Sequence, residues 1–236
     1  MATNQAFLDL GYQVYDLPEA STLDVYWRAA TAAVTGKHVQ YRLKRIFDFC
    51  IALGLLAVLS PLYLVIALAI KLTSRGPVFY KSQRLMKDWQ EFTLFKFRTM
   101  VDGAEAKFDE VALLNEASGP LFKCRRDPRI TPVGRILRAC FLDELPQLIN
   151  VVRGELSLVG PRPCLLREAA QMEQEMYFRF AVPQGITGPW QTNGYHALPF
   201  TDQLRVEGDY VQSWSLGKDL AVLLRTIPIV LRLQGR

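Results

Sequence analysis

Phe49-Cys50-Ile51-Ala52-Leu53-Gly54-Leu55-Leu56-Ala57-Val58-Leu59-Ser60-Pro61-Leu62-Tyr63-Leu64-Val65-Ile66-Ala67-Leu68-Ala69-Ile70 is a run of 22 residues without a charge. A helix needs about 20 apolar residues to span a bilayer, so this run is long enough. Two features complicate a simple span. Ser60-Pro61 falls in its middle, where proline removes a backbone hydrogen bond and bends the helix, and a serine hydroxyl can satisfy the carbonyl set free. Basic residues also flank both ends: Arg42, Lys44 and Arg45 before, Lys71, Arg75, Lys81 and Arg84 after. A spanning helix collects its excess of cations on one side. Cations at both ends fit a helix that enters, bends at Ser60-Pro61 and leaves by the same face. On these residues a re-entrant helix and a kinked spanning helix are both open, with a buried helix of a soluble protein as a third option.

The rest of the composition suits a protein working at a membrane. The chain has 236 residues, enough for one sizeable domain or two small ones, with half of them hydrophobic and 22% charged. Its net charge of +5 suits an anionic membrane surface, a phosphorylated substrate or a nucleic acid without choosing among them. Cys50, Cys124, Cys140 and Cys164 lie far apart with no CxxC pair, which argues against a disulfide framework or a zinc site. HExxH, GxGxxG and GxxxxGK[ST] are absent, so zincin, Rossmann and P-loop readings lack support. Residues 1–40 form a leader without a basic n-region, and acidic residues break its apolar stretches, unlike a signal peptide. It leaves no room for a bundle of further transmembrane helices.

Phe141-Leu142-Asp143-Glu144-Leu145-Pro146-Gln147-Leu148 sets two carboxylates side by side before a proline. Proline is tolerated in the first turn of a helix, so Asp143 is expected at a helix N-terminus, as its cap or one position inside. Free N–H groups there favour anions, including a phosphate. Two neighbouring carboxylates can also share a hard cation such as Mg²⁺, one attacking while the other holds the metal. The plain alternative is an ordinary acidic cap.

Other stretches supply cations and rigid loops. Val78–Lys81 and Phe92–Arg98 read as two short strands around a Lys87–Gln90 loop, with Lys96 and Arg98 on one strand face. That face is a candidate phosphate site or a solvated one. Residues 102–116 read as an amphipathic helix ended by Ser118-Gly119-Pro120, and Leu121–Arg129 as a basic loop. Thr131-Pro132 starts a helix that carries Arg135 and Arg138 towards the carboxylates. Arg138 could contact a diphosphate or hold Glu144 in place. Ser157–Pro163 contains Pro161-Arg162-Pro163, which presents Arg162 on a stiff loop or forms a structural turn. Helical segments are expected over residues 165–180, about 200–214 and 216–233, the last at a membrane interface or in the core.

In this order the motifs resemble one family. Lys44, Arg45 and Asp48 precede the broken apolar run. Arg75–Tyr80, Lys96–Met100, Asp127–Thr131, Leu142–Gln147, Ser157–Pro163 and Gly185–Gly188 follow. The set, over about residues 42–233, is similar to the bacterial sugar transferases, monotopic phosphoglycosyl transferases that start glycan assembly on a lipid carrier. The resemblance implies an α/β, mostly helical fold: a small cytosolic body with a short β-hairpin, interfacial helices and one re-entrant membrane helix broken at Ser60-Pro61. It implies a leader over 1–40, the membrane helix over 41–74 and a catalytic domain over 75–236, on the cytoplasmic face of the bacterial inner membrane. Such enzymes take a nucleoside diphosphate sugar, usually a UDP-sugar, and a polyprenyl phosphate, and release UMP. Asp143 would be the nucleophile that carries the phosphosugar, Glu144 would work with it on Mg²⁺, and Arg162 would engage the substrate phosphates or nucleotide. Pro161, Arg138, Lys96 and Arg98 complete the expected substrate-binding set. Lys44, Arg45 and Asp48 join Ser60 and Pro61 at membrane re-entry. No nucleic-acid partner is expected, and a homodimer stays open.

Three departures stand out. Met86 and Trp89 replace glycines usual between Arg84 and Phe92, Tyr195 stands where an arginine is frequent, and Glu207 replaces an aspartate three residues before Tyr210. Two rival functions remain: a membrane-bound nucleotide-sugar diphosphate hydrolase, with water resolving the phosphoenzyme, and an inactive scaffold of a glycan-assembly complex.

Overall fold

A computed structural model describes residues 37–116, 122, 124, 126–170, 172, 174–192 and 200–232. The leader before residue 37, the Ser118-Gly119-Pro120 break and Tyr195 lie outside the described residues. The apolar run forms two helices, α1 (His38–Val58) and α2 (Ser60–Thr73), bent by 61° at Leu59. Pro61 has no N–H for the Ala57 carbonyl, and the Ser60 hydroxyl donates to that carbonyl instead, at 2.8 Å. Among the described residues no single helix is long and apolar enough to cross a membrane. The bent pair qualifies together, by length and composition, as a broken span or a re-entrant loop.

The burial pattern of α1 is inverted. Its charged Lys44 and Asp48 are buried against the body, while Ile46, Phe47, Phe49 and Leu53 are exposed. Lys44 Nζ reaches Asp219 at 2.6 Å and Asp48 at 3.6 Å. Asp48 accepts the Ser157 hydroxyl at 2.6 Å. The Arg45 guanidinium donates to the Val151 and Val152 carbonyls at 2.5 and 3.0 Å. The Lys-Arg-x-x-Asp motif therefore ties α1 to three separate parts of the body.

The body is mostly helical around two small sheets. Strands β1 (Phe79–Leu85) and β2 (Glu91–Phe97) form an antiparallel hairpin with Phe79 opposite Phe97 and Leu85 opposite Glu91. The first strand is longer than the sequence suggested. A 3₁₀ turn (Lys87–Trp89) joins them. Asp88 and Trp89 both hold positive φ there, near 60°, a conformation that glycine adopts without strain. Trp89 sits in it with its ring 4.1 Å from that of Phe180, a contact that a glycine could not make.

After the hairpin come α3 (Phe108–Ala112), α4 (Pro132–Ala139), α5 (Gln147–Arg153), β3 (Ser157–Val159), α6 (Leu166–Ala169), β4 (Gly185–Thr187), α7 (Pro189–Thr192), α8 (Phe200–Gln212) and α9 (Leu216–Leu231). Several sequence expectations are corrected. The helix expected over residues 102–116 is a run of turns, entered at Gly103 with φ 72°, followed by the five-residue α3. The helix expected over 165–180 breaks into α6 and a 3₁₀ segment (Gln174–Ala181). In α6 the Glu168 carboxylate folds back to the Leu165 N–H at 2.8 Å. Strands β3 and β4, read from sequence as loops, pair in parallel with Ser157 opposite Gly185 and Val159 opposite Thr187. Glycine makes that approach feasible: a Cβ on Gly160 would fall 2.3 Å from the Pro183 carbonyl oxygen.

The largest apolar core joins α1, β2, α5, β3, α8 and α9 through residues such as Ala52, Leu94, Val151, Val159, Trp214 and Val222. Asn150, fully buried, stitches α5 to β2: its amide donates to the Thr93 carbonyl at 2.7 Å and accepts the Phe95 N–H at 3.1 Å. Asp219 of α9 is the polar centre of this core. It accepts from Lys44 at 2.6 Å, from the Tyr210 hydroxyl at 2.6 Å and from the Trp214 indole at 3.1 Å. Breaking a buried ion pair from one side costs about 3–5 kcal/mol, because the other charge stays buried. Asp219→Ala is expected to lose stability on that scale in detergent-solubilised protein, read from denaturant or thermal unfolding; an unchanged midpoint would show that the pair does not hold α1 to the body.

Candidate active site

The carboxylates Asp143 and Glu144 sit at the corner between α4 and α5. Helix α4 starts as expected, with the Thr131 hydroxyl accepting the Gly134 N–H at 2.9 Å and Pro132 in its first turn. It ends at Phe141, which is left-handed at φ 56° and turns the chain. A non-glycine residue there is uncommon and costs on the order of 1 kcal/mol or more, so the fold over-determines this corner. Leu142–Glu144 then make one 3₁₀ turn, and Pro146 is the N-cap of α5. Asp143 is thus not at the N-terminus of α5 but in the turn before it. The Tyr63 hydroxyl of α2 donates to the Leu145 carbonyl at 2.6 Å, so the second arm of the bent pair touches this corner directly.

Lys96 of β2 reaches Glu144 with Nζ 2.6 Å from Oε1. It occupies the place that the sequence left open to Arg138, whose Nε instead donates to the Thr99 hydroxyl at 3.0 Å. The two carboxyls are pushed apart in acidity. Burial raises Asp143 above the ordinary aspartate range, and Glu144 adds to the rise against the pull of Lys96 and Arg138. Burial also pushes Glu144 up, but Lys96, by charge and hydrogen bond, with Arg162 and Arg84 behind it, brings it below the ordinary range.

Arg98 is not delivered to the carboxylates. It lies just past the end of β2 and is buried, donating to the Ser74 carbonyl at 3.0 Å, to the Ser74 hydroxyl at 2.9 Å and to the Arg75 carbonyl. It closes the C-terminal end of α2, and the shared strand face expected for Lys96 and Arg98 does not exist. Arg162 lies 5.6 Å over the Trp190 ring and lines the same cleft as Lys96 and Glu144. Pro161 acts through its backbone, its carbonyl accepting the Gly185 N–H at 2.9 Å, which fastens the Pro-Arg-Pro loop to β4.

The cleft has a volume of about 260 Å³, whereas a single water needs on the order of 15 Å³, so its scale is that of a ligand. Its polar lining comprises Arg84, Lys96, Glu144, Gln147, Arg162 and Gln191 among others. Its apolar lining includes Leu55 of α1 and Ile229 and Val230 of α9. The sequence reading missed Arg84, Gln147 and Gln191. Gln147 lies within the quoted carboxylate stretch at the start of α5, and Gln191 lies in α7; their faces depend on tertiary packing. The buried Gln191 Oε1 has no hydrogen-bond partner among the described residues, which suits it to accept a ligand's N–H or O–H.

The donor chemistry fits Mg²⁺. That ion binds one or two carboxylates and fills its shell with water and substrate phosphate oxygens. Glu144 lines a cleft of ligand size, with Asp143 adjacent to it in the same 3₁₀ turn, so the two would hold such an ion. No group of three or more His, Cys, Asp or Glu that could hold a metal occurs among the described residues, so a protein-only cage is not on offer.

A family model described as bacterial sugar transferase matches residues 39–233. The exopolysaccharide production protein ExoY of Sinorhizobium fredii is 38% identical over 196 residues, covering 81% of this chain and 87% of that protein. The undecaprenyl-phosphate galactose phosphotransferase of Salmonella typhimurium is 37% identical over 202 residues, covering 82% of this chain and 41% of that longer protein. The UDP-glucose:undecaprenyl-phosphate glucose-1-phosphate transferase of Caulobacter vibrioides is 38% identical over 200 residues, covering 80% of this chain and 69% of that protein.

Proposed function

The chain belongs to the bacterial sugar transferase family, and from that premise we propose that it transfers a sugar-1-phosphate from a UDP-sugar to a polyprenyl phosphate, releasing UMP, at the cytoplasmic face of a bacterial membrane. The observation that carries this reading is the mixed cationic and apolar lining of the cleft. Glu144 with Lys96, Arg84 and Arg162 lines it together with apolar side chains from α1 and α9, and Asp143 stands next to Glu144 in the same turn. A lipid phosphate acceptor is an amphiphile that needs both kinds of lining. The names of the relatives support the reaction class.

Asp143 is the nucleophile in this reading. Its carboxylate oxygen attacks the sugar-bearing phosphorus, and the bond from that phosphorus to the bridging oxygen breaks, with UMP leaving on the electron pair. A phosphate oxygen of the acceptor then attacks the same phosphorus, and Asp143 leaves as a carboxylate. One hard displacement becomes two easier ones. Attack by an anion on a diphosphate needs cations, and Lys96, Arg84 and Arg162 line the cleft to provide them. Lys96 also favours the ionised form of both carboxyls. Mg²⁺ held by Glu144 with Asp143 would supply further charge neutralisation at the diphosphate when bound.

The exposed apolar residues give the enzyme its surface. Ile46, Phe47, Phe49 and Leu53 of α1, Leu64, Val65 and Leu68 of α2, and Leu220, Leu224, Ile227 and Leu231 of α9 would sit in lipid. Cations at both ends of the bent pair, together with the family resemblance, support a re-entrant, monotopic arrangement. Soluble donor and lipid-borne acceptor then meet at the bilayer surface.

Purified protein in nanodiscs with Mg²⁺, polyprenyl phosphate and a panel of UDP-sugars is expected to release UMP only when the lipid is present, and Asp143→Asn is expected to abolish turnover. UMP release that ignores the lipid would instead support the hydrolase. Turnover by the variant would remove Asp143 from the chemistry.

Attack requires ionised Asp143, whose affinity for a proton is raised by burial. The acid limb of kcat/KM for the donor should therefore lie above the ordinary aspartate range. Lys96 lowers that affinity, so Lys96→Met is expected to move the limb to higher pH along with a loss of rate. A limb that stays in place would show that it reports another group.

A further inference from the structure

The backbone of Arg162 is enclosed by a buried ion pair. Glu207 of α8 accepts the Arg162 N–H on Oε1 at 2.8 Å. Arg179 donates to the Arg162 carbonyl at 2.6 Å. The two partners then meet each other, Arg179 Nη2 to Glu207 Oε2, at 2.6 Å. Their side chains are only 4% and 2% exposed. Both polar groups of the Arg162 peptide are thus held by a single closed ring of charge-assisted contacts, drawn from two elements distant in sequence. Gln184 secures the far side, donating to the Arg179 carbonyl at 3.0 Å.

We propose that Glu207 and Arg179 are positioning residues that fix Arg162 of the Pro-Arg-Pro loop at its place in the cleft for the donor's diphosphate. The proposal rests on the reading of Arg162 as a substrate-binding residue given above. Three observations carry it. Prolines on both sides limit the loop's own freedom but do not set where it stands, and the ring supplies that anchor. Burying two charges is costly, and these two face each other as an ion pair while each takes up one group of the Arg162 peptide, with Glu207 Oε2 and Arg179 Nε making no hydrogen bond among the described residues. The cation that results is aimed: the Arg162 guanidinium lies over the Trp190 ring and borders the cleft that holds Lys96 and Glu144. The residue found at 207 also bears on this role. Glutamate, one methylene longer than aspartate, spans from α8 to both the Arg162 N–H and Arg179.

The test is a double-mutant cycle on purified nanodisc protein with Glu207→Gln, Arg162→Lys and the double variant. The readouts are kcat and KM for the UDP-sugar donor, KM for the lipid acceptor and the thermal midpoint. Displacing a positioned group by about 1 Å can cost roughly a hundredfold in rate. Glu207→Gln alone is expected to lower donor kcat/KM by roughly ten- to a hundredfold, with the acceptor KM little changed. In the Arg162→Lys background the same substitution should lower it less than about twofold, because coupled neighbours do not add. Equal losses in both backgrounds would overturn the proposal, and so would a folded Glu207→Gln enzyme with full activity. Arg162→Lys with wild-type donor kcat/KM would instead remove the reading of Arg162 itself, and the proposal with it, a result distinct from additivity. Should Glu207→Gln fail to fold, Glu207→Asp, which keeps the charge but draws it back, enters the same cycle under the same criteria.

Discussion

The fold depends on one buried charge cluster, Lys44 between Asp48 and Asp219. A cation and two carboxylates removed from water cost several kcal/mol each unless every lone pair and proton finds a partner. Here they do. Asp219 takes Lys44, Tyr210 and Trp214, and Asp48 takes the Ser157 hydroxyl. The cluster lies where α1, β3 and α9 meet. It pins a helix whose outward face is apolar and whose inward face is charged, the reverse of a water-soluble helix. Arg45 on the α5 carbonyls and Tyr63 on Leu145 extend the same attachment to either side of the carboxylate corner. The part of the chain suited to lipid and the part suited to chemistry are therefore placed by the same contacts.

From that arrangement the site follows. Leu55 of α1, with Ile229 and Val230 of α9, contributes apolar lining to the cleft. The hairpin supplies Lys96, α4 and α5 supply the corner, and the paired loops after β3 and β4 supply Arg162 and its surroundings. A left-handed Phe141 and a single 3₁₀ turn present two adjacent carboxyls in different environments. Asp143 is the more buried and the more reluctant to ionise; Glu144 is held ionised by Lys96. Two like groups with acidities driven apart are suited to two different tasks.

Much of this was legible in the residues. The Ser60-Pro61 break, the rescue of the Ala57 carbonyl, the hairpin, the Thr131 cap and the carboxylate stretch each rest on local rules, and the order of motifs gave the family. What was not legible depends on contacts distant in sequence. Strands β3 and β4 are three residues each, too short for an alternating pattern, and pair only because glycines let the backbones touch. Arg98 reads as a partner of Lys96 by strand alternation, but β2 stops one residue earlier and the end of α2 claims it. Asn150, Gln147 and Gln191 carry no signal of their own until packing fixes what they face. The helix expected over residues 102–116 had the right apolar spacing, but Gly103 opens a run of turns there. Glu207 looked like a departure that bore on substrate choice. In the structure it is joined to Arg179 and to the backbone of Arg162.

The central claim is that Asp143 takes the phosphosugar covalently. The most direct measurement is intact-protein and peptide mass spectrometry after the enzyme meets its UDP-sugar without acceptor and is quenched rapidly. The account requires a sugar-phosphate adduct on the peptide that contains Asp143, lost when polyprenyl phosphate is added before the quench. Turnover with no adduct at any time, or an adduct on another residue, would contradict it.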